Sequence, residues 1–215
     1  MRLRKKPWAN QVLAQAETSN LLITNPSAYK GRWRSLGDFE KVVLEIGAGK
    51  GDYWLNLAKE DPTTLVIAIE RMTDVAVIAL KKALVSDIGD NHRFIIANSD
   101  AITEYFAESE LSRIHLNFSD PWPKNHQQKR RLTYPSRLAI YEKLLENNGE
   151  IIQKTDNRSF FYDSIGYFEE NHWQLIDRND DFRQVENDDP ITEYEQRFMD
   201  LNQPIYRAVW RRNNV

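Results

Sequence analysis

The chain has 215 residues, 41% of them hydrophobic and 28% charged, which suits a single domain with a substantial core. It contains no cysteine, which excludes disulfides, cysteine–zinc sites and thiol catalysis. No apolar run approaches the roughly 18–20 residues of a membrane span, and the basic start Met1–Lys6 lacks the apolar stretch of a signal peptide, so a cytoplasmic protein is expected. The formal net charge of −3 at first argues against a polyanionic partner.

Charge distribution reverses that argument. Residues 1–6 carry Arg2, Arg4, Lys5 and Lys6 with no acid, and 121–141 carry Lys124, Lys129, Arg130, Arg131 and Arg137, again with none. Arg207, Arg211 and Arg212 dominate 201–215, while acids crowd 177–200. Local fields of this kind steer a polyanion whatever the net charge. The histidines (His92, His115, His126, His172) show no metal-ligand spacing, so no metal is expected.

In chain order, residues 1–40 lack a strong period and read as a basic arm with a lead-in segment. A catalytic α/β core follows over 41–215. Strands are predicted at Val42–Ile46, Leu65–Glu70, Arg93–Ala97, Arg113–Phe118 and Glu150–Lys154. Helices are predicted near Asp52–Glu60, Thr73–Ser86, Ala101–Glu108 and Pro135–Asn147. The last of these has Thr133 as its cap and Asn147-Asn148-Gly149 as its stop. Strands apolar nearly throughout imply burial on both faces, and their alternation with helices implies a doubly wound, mostly parallel sheet. A helix near Ser159–Asn171 leads to a strand at Trp173–Asp177. A polar loop over 178–190, a segment Ile191–Leu201 and a strand at Ile205–Trp210 then give an antiparallel C-terminal edge.

The first strand runs into Glu45-Ile46-Gly47-Ala48-Gly49-Lys50-Gly51. Glycines here permit a tight turn and close approach to a ligand. A phosphate-binding P-loop is absent, and the spacing is not the G-x-G-x-x-G of dinucleotide folds. Glu45 is awkward beside a pyrophosphate but suits an amino group or a sulfonium. Glu70, ending the second strand, can accept both hydroxyls of a ribose. Asn98 and Asp100, ending the third, offer acceptors for an adenine amino group. Acid-x-G-x-G after the first strand resembles the first motif of Rossmann-like methyltransferases, with Glu45, Gly47, Gly49, Glu70, Asn98 and Asp100 as cofactor-site candidates.

The fourth strand ends in Asn117-Phe118-Ser119-Asp120-Pro121-Trp122-Pro123-Lys124, where proline breaks the ladder. Within a few residues come a carboxylate, an aromatic ring and the cluster His126, Lys129, Arg130, Arg131. Those are the parts of a guanine-binding RNA site: an acceptor for base N–H groups, a ring for stacking and cations for phosphate. This tract, with K-R-R-L-T-Y after it, closely resembles the bacterial tRNA (guanine-N7-)-methyltransferases. The resemblance extends to R-x-R-x-K-P-W-A at Arg2–Ala9, N-P-x-x-Y-K-G at Asn25–Gly31, E-I-G-x-G-K-G at Glu45–Gly51, K-T-D-N-R at Lys154–Arg158, T-E-Y-E at Thr192–Glu195 and G/N-Q-P-I-Y-R at Asn202–Arg207.

The resemblance implies S-adenosylmethionine as methyl donor, with Asp120 both the catalytic carboxylate and a member of the cofactor pocket. It implies tRNA as partner, the variable-loop guanine at position 46 as target, and Lys124, Asp156, Thr192, Glu193, Tyr194 and Glu195 as substrate-binding residues. His126, Lys129, Arg130 and Arg131 are expected on RNA. Asn125 and His126 stand where the family often has Lys and Arg, which implies fewer phosphate contacts and a shallower salt dependence. No obligate protein partner is inferred. Three other functions stay open on the residues alone: a nicotinamide oxidoreductase, a methyltransferase for small molecules or proteins, and a non-catalytic RNA-binding module.

Overall fold

A computed structural model describes residues 7–184 and 187–212, so the basic arm at 2–6 lies outside the described residues. The chain divides into two compact units, Met1–Ala107 and Glu108–Val215.

In the first unit, β1 (Lys41–Ile46), β2 (Thr64–Glu70) and β3 (His92–Ile96) run parallel in the order β3-β2-β1. Every residue of β2 is buried, as its unbroken apolar run requires. The helices are α1 (Ala9–Thr18), α2 (Asp52–Glu60), α3 (Thr73–Ala83) and the short α4 (Ile102–Tyr105). Predicted ends of α3 and α4 were too long by a few residues. α1 occupies the lead-in segment, where no element was predicted. It turns Val12 and Ala16 onto the core beside α3, and its following chain pairs through Leu22 with Phe94 of β3. Trp54 anchors this unit. It is fully buried, donates its indole N–H to the Val66 carbonyl at 3.0 Å and meets Phe94 edge-on at 5.1 Å.

In the second unit, β4 (Leu111–Asn117) runs parallel to β5 (Leu145–Thr155), and β7 (Tyr206–Arg211) pairs antiparallel with both β5 and β6 (Gln174–Asn179). The antiparallel C-terminal edge is therefore as predicted. The helices are α5 (Pro135–Leu144), α6 (Arg158–Glu170) and α7 (Glu193–Met199). Phe168 and Trp210 stack at 4.6 Å in the core beneath α6.

Two predictions about α5 are corrected. Asn147-Asn148-Gly149 does not end the helix, which stops at Leu144. The trio lies inside β5, where Asn148 takes φ 63° and the register jumps from Leu145 to Glu150. Asparagine tolerates that left-handed conformation, so the same residues serve a strand irregularity as readily as a helix stop. Thr133 is not the cap either. Tyr134 holds that position without a side-chain bond, while the Thr133 hydroxyl is buried against Ser164 of α6 at 2.8 Å.

Candidate functional site

The first unit presents a cradle where β1 ends. Gly47, Gly49 and Gly51 all have positive φ (81°, 57° and 80°), which side chains adopt only with strain. A Cβ at Gly47 or Gly49 would meet nothing within 4 Å, so these two face open space, whereas one at Gly51 would strike Ala79 of α3 at 2.7 Å. The loop is held from β2. Gly47 N–H donates to the Ile69 carbonyl at 2.8 Å, and Gly49 N–H donates to Glu70 Oε2 at 3.1 Å. The other oxygen of Glu70 accepts from Met72 N–H at 2.8 Å. Glu70 is thus nearly buried and fixed in direction, with lone pairs remaining on both oxygens. Glu45 is buried at the base of the loop. At the end of β3, exposed Asn98 and Asp100 bond each other: the Asn98 amide donates to Asp100 Oδ2 at 2.8 Å, and Asn98 Oδ1 accepts from Asp100 N–H at 3.2 Å.

Acids and glycines therefore lie at three successive strand ends. The donor set fits S-adenosylmethionine: an open glycine cradle, a buried carboxylate for its cationic part, a pinned carboxylate for ribose hydroxyls, and polar groups for adenine.

The second unit carries the reacting-end residues. Phe118 leaves β4 with φ 50°, its N–H still donating to the Lys154 carbonyl at 2.8 Å. Asp120 stands exposed beyond it. Half-buried Asp156 follows the end of β5. Tyr194, half exposed on α7, tilts against Phe118 at 5.4 Å and Phe198 at 5.0 Å. Its hydroxyl is pushed above the usual tyrosine value by partial burial first, then by the Asp156 carboxylate and more weakly by that of Asp120, with Arg197 opposing. Phe118, two residues before Asp120, bonds Lys154, two residues before Asp156, and touches Tyr194, so Asp120, Asp156 and Tyr194 lie at the same end of the β4–β5 pair.

Thr192 and Glu195 have other engagements. Thr192 Oγ1 accepts from Glu195 N–H at 2.9 Å, and Glu195 Oε2 accepts from Thr192 N–H at 3.3 Å, a reciprocal capping box at the start of α7. Glu195 is fully buried. It meets Lys154 Nζ at 3.2 Å and Arg183 Nε at 2.6 Å, while Asp189 meets Lys154 at 2.5 Å and Arg183 at 3.0 Å. Both oxygens of Glu195, expected among the substrate-binding residues, already serve partners within the fold. Glu193 begins α7, and its side chain lies outside the described residues.

Lys124, His126, Lys129 and Arg130 are exposed, the last three on a 3-10 turn over Asn125–Arg130. Arg131, also expected on RNA, is instead buried on internal partners. Sequence reasoning gave no role to Lys154, Arg183 or Asp189. The one available signal was a lysine closing an otherwise uncharged run (Ile151-Ile152-Gln153-Lys154) in a buried strand, where an ammonium requires a counter-ion.

Asp156 yields a pH-linked prediction. Burial raises its carboxyl above the usual 3.8, its own backbone N–H opposing. The ionised form is thus disfavoured in the fold. That cost is absent below 3.8 and complete once the pH exceeds the folded-state value. Asp156→Asn is expected to melt above the parent at pH 7, with the gap closing as the pH falls toward 4, while kcat/KM drops. Thermal melts across that range check it; a gap independent of pH would contradict the linkage.

Comparison with known proteins agrees with this geometry. Residues 39–208 match the family described as "Putative methyltransferase". A solved structure described as an antibiotic-related methyltransferase superposes with a TM-score of 0.61 at 17% identity, covering 81% of this chain and 89% of that one. Fold and glycine-acid cradle define an S-adenosylmethionine-dependent methyltransferase of the doubly wound α/β class. A tRNA (guanine-N(7)-)-methyltransferase of Bacillus velezensis is 42% identical over 98% of each chain. One of Bacillus subtilis is 40% identical over 98% of this chain and all of its own. The chain belongs to the tRNA (guanine-N7-)-methyltransferase family.

Proposed function

We propose that this chain, working as one methyltransferase domain in the cytoplasm, methylates N7 of the variable-loop guanine at position 46 of tRNA. The observation that carries the reading is that the half-exposed Tyr194 ring packs on Phe118 where the paired strands β4 and β5 end and lead into Asp120 and Asp156: carboxylates and a ring at one sheet end are what a stacked guanine requires. S-adenosylmethionine supplies an electrophilic sulfonium methyl when bound. Glu45, Gly47, Gly49, Glu70, Asn98 and Asp100 would hold it.

Guanine N7 carries a lone pair and no proton, so no residue need act as a general base. The protein's part is orientation, worth roughly 7–11 kcal/mol when complete, and electrostatic support. Asp120 orients the purine and opposes the positive charge that develops on it. Asp156 accepts from N1–H and the exocyclic amine, which selects guanine over adenine. Tyr194 gives the base a face, while Thr192 and Glu195 aim Tyr194 through the capping box. Lys124, His126, Lys129 and Arg130 approach the RNA backbone.

The test is methyl transfer from labelled S-adenosylmethionine to unmodified tRNA, with the product nucleoside mapped by mass spectrometry. N7-methylguanosine in the variable loop is expected, and replacing that guanine by adenine should abolish it. Label on another base or in another loop would overturn the position.

A further inference from the structure

The basic tract after Trp122 divides in two. Lys129 and Arg130 face solvent, and the Arg130 guanidinium lies 5.0 Å from the centre of the Trp122 ring. Arg131 turns inward, with its side chain only 3% exposed. Its Nε–H donates to the Pro121 carbonyl at 2.8 Å. Its Nη1 donates to Asp163 at 2.8 Å and to the Tyr167 hydroxyl at 3.2 Å, both on α6. The guanidinium also lies 5.3 Å from the ring centre of Phe160. Adjacent contacts fasten the same segment. Tyr134 meets Tyr167 edge-on at 5.6 Å, and Thr133 bonds Ser164, which also accepts from the Gln153 amide of β5 at 3.0 Å.

The carbonyl that Arg131 holds belongs to the residue after Asp120. That short stretch needs holding. Phe118 and Trp122 both sit at positive φ (50° and 40°), a conformation costing about 1–3 kcal/mol each and kept only where surroundings enforce it. Pro121 has no N–H, so its own backbone can be fixed only through its carbonyl. A planar guanidinium can bond several acceptors in set directions at once, which an ammonium on a flexible stem does less well.

We propose that Arg131 is a positioning residue: it fixes the Pro121 carbonyl, and through it the Asp120 carboxylate, and it takes no phosphate. The proposal rests on the reading above that Asp120 faces the reacting purine. Turning Arg131 outward would strand partners arranged around a buried cation, a cost its exposed neighbours Lys129 and Arg130 do not face.

The test compares Arg131→Met, Arg131→Lys and Asp163→Asn with a Lys129→Ala/Arg130→Ala control. Arg131→Met should lower the single-turnover methyl-transfer rate tenfold or more. Its tRNA Kd and the salt dependence of binding should match the parent, and Arg131→Lys should recover part of the rate. The control should instead weaken binding and make the salt slope roughly one unit shallower for each phosphate left without its cation. Amide hydrogen exchange across 118–124 should accelerate in Arg131→Met and Asp163→Asn. A shallower salt slope in Arg131→Met with rate and exchange unchanged would overturn the proposal. Should Arg131→Met fail to fold, Asp163→Asn carries the comparison, since that carboxylate is 40% exposed. If the parent methylates no tRNA, the functional reading fails, yet exchange still decides whether Arg131 holds the loop.

Discussion

Asp120→Asn should lower the single-turnover rate of methyl transfer by about 10²–10³-fold, the usual effect of removing one preorganised electrostatic group at a reacting centre. The substitution keeps the shape of the side chain and removes its charge. Asp120 is exposed beyond β4, and a thermal melt of the variant checks that the fold is kept. The loss should fall on the rate rather than on tRNA affinity, because the purine gains positive charge only as the methyl arrives. Rapid-quench assays with saturating donor and tRNA, beside a tRNA binding isotherm, separate the two. A fall of less than tenfold would remove Asp120 from the chemistry. A fall in affinity alone would make it a ground-state contact.

Lys154→Met should destabilise the second unit by about 3–5 kcal/mol, because it leaves buried carboxylates without one of their two cations. Lys154 is fully buried between Asp189 and Glu195, and Arg183 also meets both carboxylates. For a chain of this length that corresponds to a fall in Tm on the order of 10 °C. These four side chains tie the 182–195 segment to β5. Protease cleavage between 187 and 192 should therefore appear in the variant at temperatures where the parent resists. Lys154→Met/Glu195→Met should recover part of the loss, since removing both partners leaves no stranded charge. Equal stability of Lys154→Met and the parent in urea would mean that water enters the network and screens it.

Much of this architecture is legible in the amino-acid sequence, for identifiable reasons. The strands of the first unit are rich in apolar residues, β2 most of all, and burial on both faces leaves that mark. The antiparallel edge is legible because two late strands follow each other without a long helical crossover. The lead-in helix α1 is not, since only Val12 and Ala16 of its ten residues are buried, too narrow a stripe to stand out. Asn148 and Gly149 read as a helix stop because the left-handed conformation that ends helices also shapes strand irregularities.

The candidate site shows the same limit more sharply. Glycines and strand-end acids are recognisable by type and spacing. Which of Arg130 and Arg131 faces water is not, because the two are chemically identical neighbours. Only the partners on α6, more than thirty positions away, separate them. Glu195 presents the same difficulty. In T-E-Y-E the resemblance makes it a substrate-binding residue, and its burial depends on Lys154 and Arg183, which no local motif connects to it.

The bonds from Gly49 and Met72 to Glu70 carry one more consequence. A carboxylate already frozen by two backbone donors would lose little rotational freedom on taking the ribose proposed for it, so the ordering cost of that contact, typically about 0.5–1.5 kcal/mol for a mobile side chain, would be met during folding. The sugar is the same before and after methyl transfer. A rigid grip on it would therefore favour fresh donor and spent by-product alike, and any preference for exchanging one for the other must come from groups that sense the sulfur's change from cation to neutral thioether.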